Sequence, residues 1–273
     1  MTAGEETRLA LTLHYDGGAF FGWQAQRKER TVQGELEAAV ARLTGARRTV
    51  IGSGRTDRGV HATGQVAAVT VPARWTPATF RKALNSVLPE DVWVREARAV
   101  HAAFHPRYDA VARTYVYRLG LADEARSPFV RPWCWSLKRP VRRDLLEQAA
   151  ETIVGEHSFE AFAKAGQPER GTRCAVRSTR WETWTSHGGE LGLSFTIVAD
   201  RYLHHMVRYL VGTLVEIARE VRPLEDLPAL LAAGPTPDRQ TSPPAPARGL
   251  FLAEVEYPDE PSQPRDESLK EAR

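Results

Sequence analysis

Cysteine and lysine are both scarce in this chain of 273 residues, and it contains no long apolar run. The two cysteines, Cys134 and Cys174, are too few for a disulfide framework or a cysteine metal set, so we expect a protein of the reducing cytoplasm. No stretch of about eighteen apolar residues is present, which predicts that the chain has no membrane-spanning helix. The first residues, Met1 to Arg8, hold no apolar stretch of the signal-peptide type.

Because lysine is scarce, arginine carries almost all of the positive charge. The formal net charge is +3 and the sequence pI is about 9.0. Two explanations stay open: a compositional bias of the genome, or contacts with a polyanion, since guanidinium groups suit phosphates and base edges. The C-terminal segment 258–273 is Pro-rich, holds five acidic and three basic residues, and is predicted to be disordered. The rest of the chain is therefore more basic than the total, which modestly favours a polyanionic partner.

Hydrophobic spacing in the first half of the chain predicts the order strand, helix, strand, strand, helix, strand. The first helix has an N-cap at Thr31 and ends at Gly45, and the second begins at Thr76-Pro77. This is the order of a ferredoxin-like, split β-α-β unit. The predicted segments are a strand at 8–15, a helix at 31–45, strands at 49–51 and 65–71, a helix from residue 76, and a strand from Trp93.

The second half shares this order of elements, although its residues do not repeat those of the first half. Its predicted segments are a strand at 112–119, a helix at 142–154, strands at 173–185 and 190–199, a helix at 201–219, and a strand at 249–257. We therefore predict an α+β fold of two ferredoxin-like halves, with mostly antiparallel sheets side by side and an active-site cleft between them. The predicted domains are 1–106 and 107–257, followed by the tail 258–273.

The segment from Ile51 to Ala62 places one carboxylate, Asp57, between Arg55 and Arg58 in a glycine-rich loop between two predicted strands. One interpretation is a solvated surface turn in which Asp57 accepts hydrogen bonds from local amides. The other is a reactive loop. An opposite charge nearby keeps a carboxylate ionised, an ionised carboxylate is a candidate nucleophile or base, and arginines bind phosphates or base edges.

The predicted helix at 201–219 has an apolar stripe and a second, polar face. The residues predicted to share the polar face are Arg201, His205, Arg208 and Gly212. Gly212 favours close approach of another backbone, so this face is expected to be covered. A covered arginine needs an anion, and Asp57 is a candidate partner for Arg208. His204 and His205 are adjacent, so on a helix their side chains would point apart and would not form the i, i+4 pair of a zinc site.

Two aromatic features each have a structural and a functional interpretation. Tyr115, in the strand that opens the second half, is either a core aromatic or a ring that stacks on an unstacked base. The segment from Phe20 to Lys28, which also contains Phe21 and Trp23, is either a buried loop end or a base-stacking cluster.

Seven motifs occur in register along residues 8 to 257. They are Tyr15-Asp-Gly with Gly22-Trp-Gln, Gly54-Arg-Thr-Asp-Arg-Gly-Val-His-Ala62, Gly64-Gln-Val66, Phe104-His, Arg113-Thr-Tyr-Val-Tyr117, His204-His-Met-Val-Arg208 with Val211-Gly212, and Gly249-Leu-Phe-Leu252. With them the chain resembles the bacterial tRNA pseudouridine synthase A family. The resemblance implies a two-domain α+β homodimer that isomerises uridine to pseudouridine at positions 38, 39 and 40 of the tRNA anticodon stem-loop. It implies no metal and no small-molecule cofactor.

The resemblance also implies a role for single residues. Those that match are Asp57 as the catalytic aspartate, Arg55 as the arginine that enters the stem when the base leaves, Tyr115 as the ring stacked on the flipped base, Arg208 as the basic partner of the aspartate, and Leu250 as an apolar wall. Arg58 departs from the pattern, because alanine is common there. Its added charge is expected to strengthen tRNA contact, and His205 is a second expected tRNA contact.

Two other classes of function remain open from the residues alone. A non-catalytic RNA-binding module would explain the arginines and aromatics, but it gives no reason for one carboxylate inside a basic loop. A hydrolase with Asp57 as nucleophile would ordinarily need a second acid or a metal site, and the sequence indicates neither.

Overall fold

The computed structural model of the chain describes residues 5–164, 171–186, 188–233 and 240–258. All but the first residue of the predicted tail 258–273 lies outside this part of the chain, so the prediction of disorder stays a prediction. The predicted α+β fold class is confirmed, because five α-helices accompany one large, mostly antiparallel sheet in the described residues.

The two helices of the first half begin and end where their local signals predict. The hydroxyl of Thr31 accepts a hydrogen bond from the Gly34 amide at 3.2 Å, and the helix stops at Gly45, which has a φ of 77°. Thr76 and Thr79 form a reciprocal capping box at the start of the second helix. None of the helices in the described ranges is long and apolar enough to span a bilayer. The helices are α1 (Val32–Thr44), α2 (Pro77–Val87), α3 (Arg143–Glu151), α4 (Met206–Ala218) and α5 (Asp226–Ala233).

The strands of both halves join in a single sheet, whereas the sequence predicted two sheets side by side. The strands are β1 (Glu6–Tyr15), β2 (Ile51–Gly52), β3 (His61–Pro72), β4 (Val92–Val100), β5 (Ala112–Gly120), β6 (Trp135–Ser136), β7 (Gly155–Ser158), β8 (Arg173–Ser186), β9 (Gly189–Ala199) and β10 (Leu250–Glu256). Their spatial order is β4-β1-β3-β10-β5-β9-β8-β7, with β2 on β3 and β6 on β5.

The join is made by β10, the last strand of the chain. It pairs antiparallel with β5 of its own half and parallel with β3 of the first half, where Phe251 and Leu252 lie opposite His61 and Ala62. The order β10-β5-β9-β8 repeats β4-β1-β3-β2 of the first half, so each half keeps the strand order of a ferredoxin-like unit. The two halves are thus fused edge to edge through their backbones.

Both hydrophobic cores lie on the same face of the sheet. Leu250 belongs to the core under α3, α4 and α5, and Leu252 belongs to the core under α1 and α2. Because residues two apart on a strand point to the same face, the two groups of helices cover one side of the sheet and leave a gap over its middle. Tyr115 on β5 packs against both cores and lies at that gap.

The helix predicted at 201–219 is shorter than the sequence indicated. It begins at Met206, and His205 precedes it as the N-cap with a left-handed φ of 65°. Arg201 therefore does not lie on the polar face of α4, and residues 201–205 form a separate, non-helical approach to the helix. The interpretation of Phe20 and Trp23 as buried loop residues is correct, because they are 1% and 2% exposed.

Candidate active site

Asp57 lies in the connection between β2 and β3, and both ends of this loop are fixed. The Ser53 amide donates to the Val66 carbonyl at 2.8 Å, and the Ser53 hydroxyl donates to the side chain of Gln65 at 2.7 Å. Closer to Asp57, the hydroxyls of Thr56 and Tyr15 lie 2.8 Å apart inside the protein. These bonds fix the loop on both sides of its buried part. The interpretation of a surface turn holds for Arg55 and Arg58, which are exposed, but the Asp57 carboxylate is only 21% exposed.

Gly22 supports the same loop from outside. Its φ is +91°, and a Cβ atom there would lie 2.6 Å from the carbonyl oxygen of Thr56. That carbonyl accepts a hydrogen bond from the amide of Trp23 at 3.0 Å. Only glycine combines this backbone conformation with such a close approach, so Gly22 lets the segment after β1 pack directly on the residue before Asp57.

Three cationic or potentially cationic side chains converge on the Asp57 carboxylate. His204 Nε2 lies 3.2 Å from Oδ1, His205 Nε2 lies 3.3 Å from Oδ2, and Arg208 Nη1 lies 3.8 Å from Oδ2. The predicted pairing of Asp57 with Arg208 is confirmed. The carboxylate is 21% exposed and Arg208 is 15% exposed, so these contacts are shielded from bulk water more than ordinary surface ion pairs.

The prediction that His204 and His205 point apart is wrong. Their ring centroids are only 4.2 Å apart, and both rings face Asp57. The reason is the backbone: residues 201–205 are not helical, and the left-handed conformation of His205 turns both side chains toward the loop.

The arginines that flank Asp57 in the sequence are not its ion-pair partners. Arg58 is exposed, and its guanidinium lies 4.1 Å from the ring centroid of Phe21, at cation–π distance. Arg55 is exposed at the rim of the same cavity. Both cations remain available to solvent or to a ligand, and the partners of the Asp57 carboxylate come instead from residues at and just before the start of α4.

Arg208 is itself held in position by the segment that follows α5. Its Nε donates to the Ala245 carbonyl at 2.8 Å, and the Ala245 amide donates to the Arg208 carbonyl at 2.9 Å. The predicted close approach at Gly212 is confirmed, because a Cβ atom there would lie 2.1 Å from the Pro243 carbonyl oxygen. The missing side chain thus lets segment 243–245 lie along α4 and fix the Arg208 side chain.

Burial shifts the pKa of two side chains at the site. The pKa of His205 is lowered, mainly because burial penalises the charged ring, although Asp57 opposes this effect. The pKa of Tyr115 is raised, first by burial and then by the negative charge that Tyr15 and Asp57 would exert. At neutral pH the Tyr115 ring is therefore a neutral phenol, and His205 is favoured as a neutral imidazole.

Asp57 opens into a cavity of about 1150 Å³ in the gap between the two groups of helices. Its lining includes all but one of the residues predicted as site residues: Arg55, Asp57, Arg58, Tyr115, His205 and Leu250. Arg208 reaches the same site through its contact with Asp57. Leu250 and Tyr115 come from the adjacent strands β10 and β5, so they form part of the apolar floor beneath the carboxylate.

Arg113, on β5 two residues before Tyr115, connects both halves of the site. Its Nη2 donates to the carbonyls of Ser53 at 3.1 Å and Arg107 at 2.7 Å, and its Nη1 donates to those of Asp200 at 2.9 Å and Ala110 at 3.3 Å. These carbonyls belong to the Asp57 loop, the connection between the halves, and the approach to α4. In the sequence Arg113 stands out only as the first residue of a short motif, and nothing there indicates this linking role.

One group of residues has the donor atoms for a cation. Ligand atoms of Asp57, His204 and His205 lie within 4.8 Å of one another, and two imidazoles with one carboxylate suit zinc. The Arg208 guanidinium, 3.8 Å from Oδ2 and 3.5 Å from His205 Nε2, supplies positive charge at the same place and competes with a cation. The contacts of Asp57 with His204, His205 and Arg208 therefore explain this cluster of side chains without a bound metal ion.

The chain is similar to known proteins over nearly its whole length. A model of the tRNA pseudouridine synthase family matches residues 12–109 and 149–258. A protein of Moorella thermoacetica named tRNA pseudouridine synthase A is 41% identical over 251 residues, which cover 91% of this chain and 99% of the relative. Proteins with the same name from Solidesulfovibrio magneticus and a Geobacter species are 42% and 38% identical, and each match covers 92% of this chain. These matches cover 91% and 99% of the two relatives.

Proposed function

Because the chain belongs to the tRNA pseudouridine synthase family, we propose that it is an isomerase that converts uridine to pseudouridine in tRNA. The observation that carries this proposal is the position of Asp57. Its carboxylate lies on a cavity wall that also carries Arg55, Arg58 and His205, and Tyr115 and Leu250 form an apolar floor of the same cavity. That arrangement suits a reaction in which an acidic group acts on a neutral nucleoside held by an anionic polymer.

The reaction breaks the bond between uracil N1 and ribose C1′, turns the base, and joins C5 to C1′; the hydrogen of C5 is lost as a proton and N1 gains one. The base must leave the helix to reach an enclosed group, which costs a few kcal/mol of lost stacking. We assign to Arg55, exposed at the rim of the cavity, the role of entering the space that the base leaves. Enclosure between the two groups of helices limits access of water to the detached uracil.

Asp57 is the proposed reactive group. An ionised carboxylate can attack the sugar or the base as a nucleophile, or remove a proton from the sugar as a base. His204 lies beside one oxygen of this carboxylate, and His205 and Arg208 lie beside the other, so both oxygens have a partner. Its negative charge thereby has partners before substrate arrives, so the orientation of the carboxylate is set in advance.

Tyr115 is the proposed platform for the detached uracil. Because the pKa of its phenol is raised, the ring is neutral and presents an apolar face to the base. Stacking between a base and an aromatic ring requires no charge. We therefore assign Tyr115 to holding the uracil while it turns, with Leu250 as the neighbouring apolar wall.

Several finer features of the activity are also part of the proposal. The target is the anticodon stem-loop, at positions 38, 39 and 40, with Arg58 and His205 among the tRNA contacts, and the active form is a homodimer of two-domain subunits divided near residue 106. The proposed compartment is the cytoplasm, where the two unpaired cysteines would stay reduced.

A tritium-release assay tests the activity. tRNA transcribed with C5-tritiated uridine is incubated with the protein, and released tritium and chain integrity are measured together. An isomerase releases tritium from C5 and leaves the chain intact. Binding without release would support an RNA-binding module instead, and strand or base cleavage would support a hydrolase. Release from transcripts with uridine only at positions 38, 39 or 40 tests the proposed target.

A further inference from the structure

The cavity that contains Asp57 is larger than one flipped-out nucleoside needs. Its volume of about 1150 Å³ lies above the range of about 300–1,000 Å³ that is usual for pockets of single small ligands. Besides the Asp57 end, it is lined by a second group of residues in the turn that joins the halves: His105, Arg107 and Tyr108. The proposed reaction at Asp57 uses none of these three side chains.

The turn at residues 105–109 is closed by its own hydrogen bonds. The His105 amide donates to Asp109 Oδ2 at 2.9 Å, and the Asp109 amide donates to the His105 carbonyl at 3.0 Å. His105 Nδ1 accepts from the amides of Arg107 and Tyr108, each at 3.2 Å. A ring nitrogen that accepts two bonds is unprotonated, so the imidazole is held neutral and in one orientation.

This orientation places the His105 ring against Tyr108. The ring centroids are 4.2 Å apart with an interplanar angle of 31°, and the Arg107 guanidinium lies 5.7 Å from the Tyr108 centroid. Tyr108 is nevertheless 42% exposed. The protein therefore fixes this ring from one side and leaves much of its surface open at the cavity.

Arg113 ties the turn to the cavity floor. It donates to the Arg107 carbonyl at 2.7 Å and lies two residues before Tyr115 on the same face of β5. The Arg113 side chain thus joins the turn to the strand that carries Tyr115, and both Tyr108 and Tyr115 line the cavity.

We propose that Tyr108, with His105 behind it and Arg107 beside it, is a second base-binding subsite that stacks an unpaired nucleobase next to the flipped-out uridine. This inference rests on the proposed function and names a further part of the tRNA that the cleft takes. The ligand class is a neutral, unstacked base, because aromatic rings accept any base face. The nearby guanidinium suits the phosphate of the same nucleotide.

The subsite distinguishes a loop nucleotide from a paired one. A base in the stem is already stacked and paired, so it gains little from Tyr108, whereas an unpaired loop base can move onto the ring. The subsite therefore favours target uridines that lie beside an open loop, and it contributes to binding rather than to the chemical step.

The test compares Tyr108→Ala and Tyr108→Phe with the wild-type protein, using the tritium-release assay on tRNA transcripts. We expect Tyr108→Ala to raise KM for tRNA about tenfold, the effect of losing one base–aromatic stack, and to change kcat less than about twofold. Tyr108→Phe keeps the ring and should retain the wild-type KM. Trp93→Ala is the matched control, because Trp93 is similarly exposed (45%) but lies on β4 at the outer edge of the sheet.

A fluorescence measurement reports the stack directly. With 2-aminopurine placed at the nucleotide next to the target uridine, binding should quench its emission with wild type and Tyr108→Phe but not with Tyr108→Ala. An unchanged KM and retained quenching in Tyr108→Ala would overturn the subsite, and so would an equal loss in Tyr108→Phe. If the wild type releases no tritium, the isomerase proposal fails, and the quenching experiment still decides the subsite.

Discussion

Oδ1 of Asp57 lies 3.2 Å from Nε2 of His204, although the two residues belong to opposite halves of the chain. His204 is 55% exposed, whereas Asp57 is 21% exposed, so the imidazole covers the carboxylate from the solvent side. Both side chains line the cavity, so a substrate that reaches Asp57 also meets this ring. An exposed side chain of the cavity therefore contacts the reactive carboxylate directly, so a change at His204 should also change the orientation of Asp57.

Replacing Asp57 with Asn should abolish turnover and keep affinity for tRNA. The amide has the shape of the carboxylate but has no charge and little nucleophilicity, while the basic residues that bind phosphate remain. Tritium release and filter binding at constant salt measure the two properties. Asp123→Asn is the control, because that side chain is 86% exposed. Residual isomerisation near the wild-type rate in Asp57→Asn would remove Asp57 from its proposed role.

His205→Ala and His204→Ala should each lower kcat, with the larger effect at His205. Each change removes an imidazole nitrogen that lies within 3.3 Å of an Asp57 oxygen, and His205 is the less exposed partner at 16%. Loss of such a polar contact costs about 1–2 kcal/mol, which corresponds to roughly a tenfold fall in kcat for His205→Ala. His157→Ala provides the comparison, since that histidine lies on the edge strand β7 and contacts a backbone carbonyl there. Equal rates in all three variants would contradict the role of the histidine pair.

Arg113→Gln should reduce stability by about 2–4 kcal/mol, because four backbone carbonyls lose their donor, three of them in partly buried hydrogen bonds. The matched control is Arg177→Gln. Arg177 also donates to a backbone carbonyl, that of Val111 at 3.0 Å, but its side chain is 45% exposed and paired with Glu256. A change below about 1 kcal/mol is expected there. Urea unfolding followed by circular dichroism measures both, and equal losses would argue against Arg113 as the link between the halves.

Gly22→Ala should destabilise the protein more than Gly45→Ala. Both glycines have a positive φ, so both substitutions carry backbone strain, but only Gly22 would bring a Cβ atom within 2.6 Å of the Thr56 carbonyl oxygen. At Gly45 no atom lies within 4 Å of the added carbon. Gly22→Ala should also lower kcat, because the residue before Asp57 must move. If the two variants have the same melting temperature, the close approach at Gly22 does not constrain the loop.

The stability of the protein should fall as the pH is lowered below about 6.5, the pKa of an unperturbed histidine. Burial is the main cause of a lowered pKa at four histidines: His14, His61, His105 and His205. A lowered folded-state pKa means that the unfolded chain binds more protons in this range, so protonation favours unfolding. Urea midpoints at pH 5, 6, 7 and 8 test the direction. His61→Asn should show a weaker dependence, and a midpoint that rises between pH 6 and pH 5 would contradict the prediction.

Local signals in the sequence were sufficient to predict where the two helices of the first half begin and where the first of them ends. Thr31, Gly45 and Thr76 act through hydrogen bonds and backbone conformations within a few residues, so their effects can be read without the rest of the chain. The start of α4 was predicted five residues too early, because the left-handed backbone of His205 depends on packing against the Asp57 loop. The hydrophobic spacing of residues 201–205 resembles a helix and gives no sign of this.

By itself the sequence determined the order of the main strands and helices of both halves (though not β6, β7 or α5), the loop that carries Asp57, and the family to which the chain belongs, since each depends on short motifs or on periodicity along the chain. Only the tertiary structure decided that β10 joins the two halves in one sheet and that His204, His205 and Arg208, rather than the neighbouring arginines, surround Asp57. These contacts join residues far apart in the chain. They arise from strand pairing and from burial against a shared sheet, and neither leaves a local pattern in the sequence.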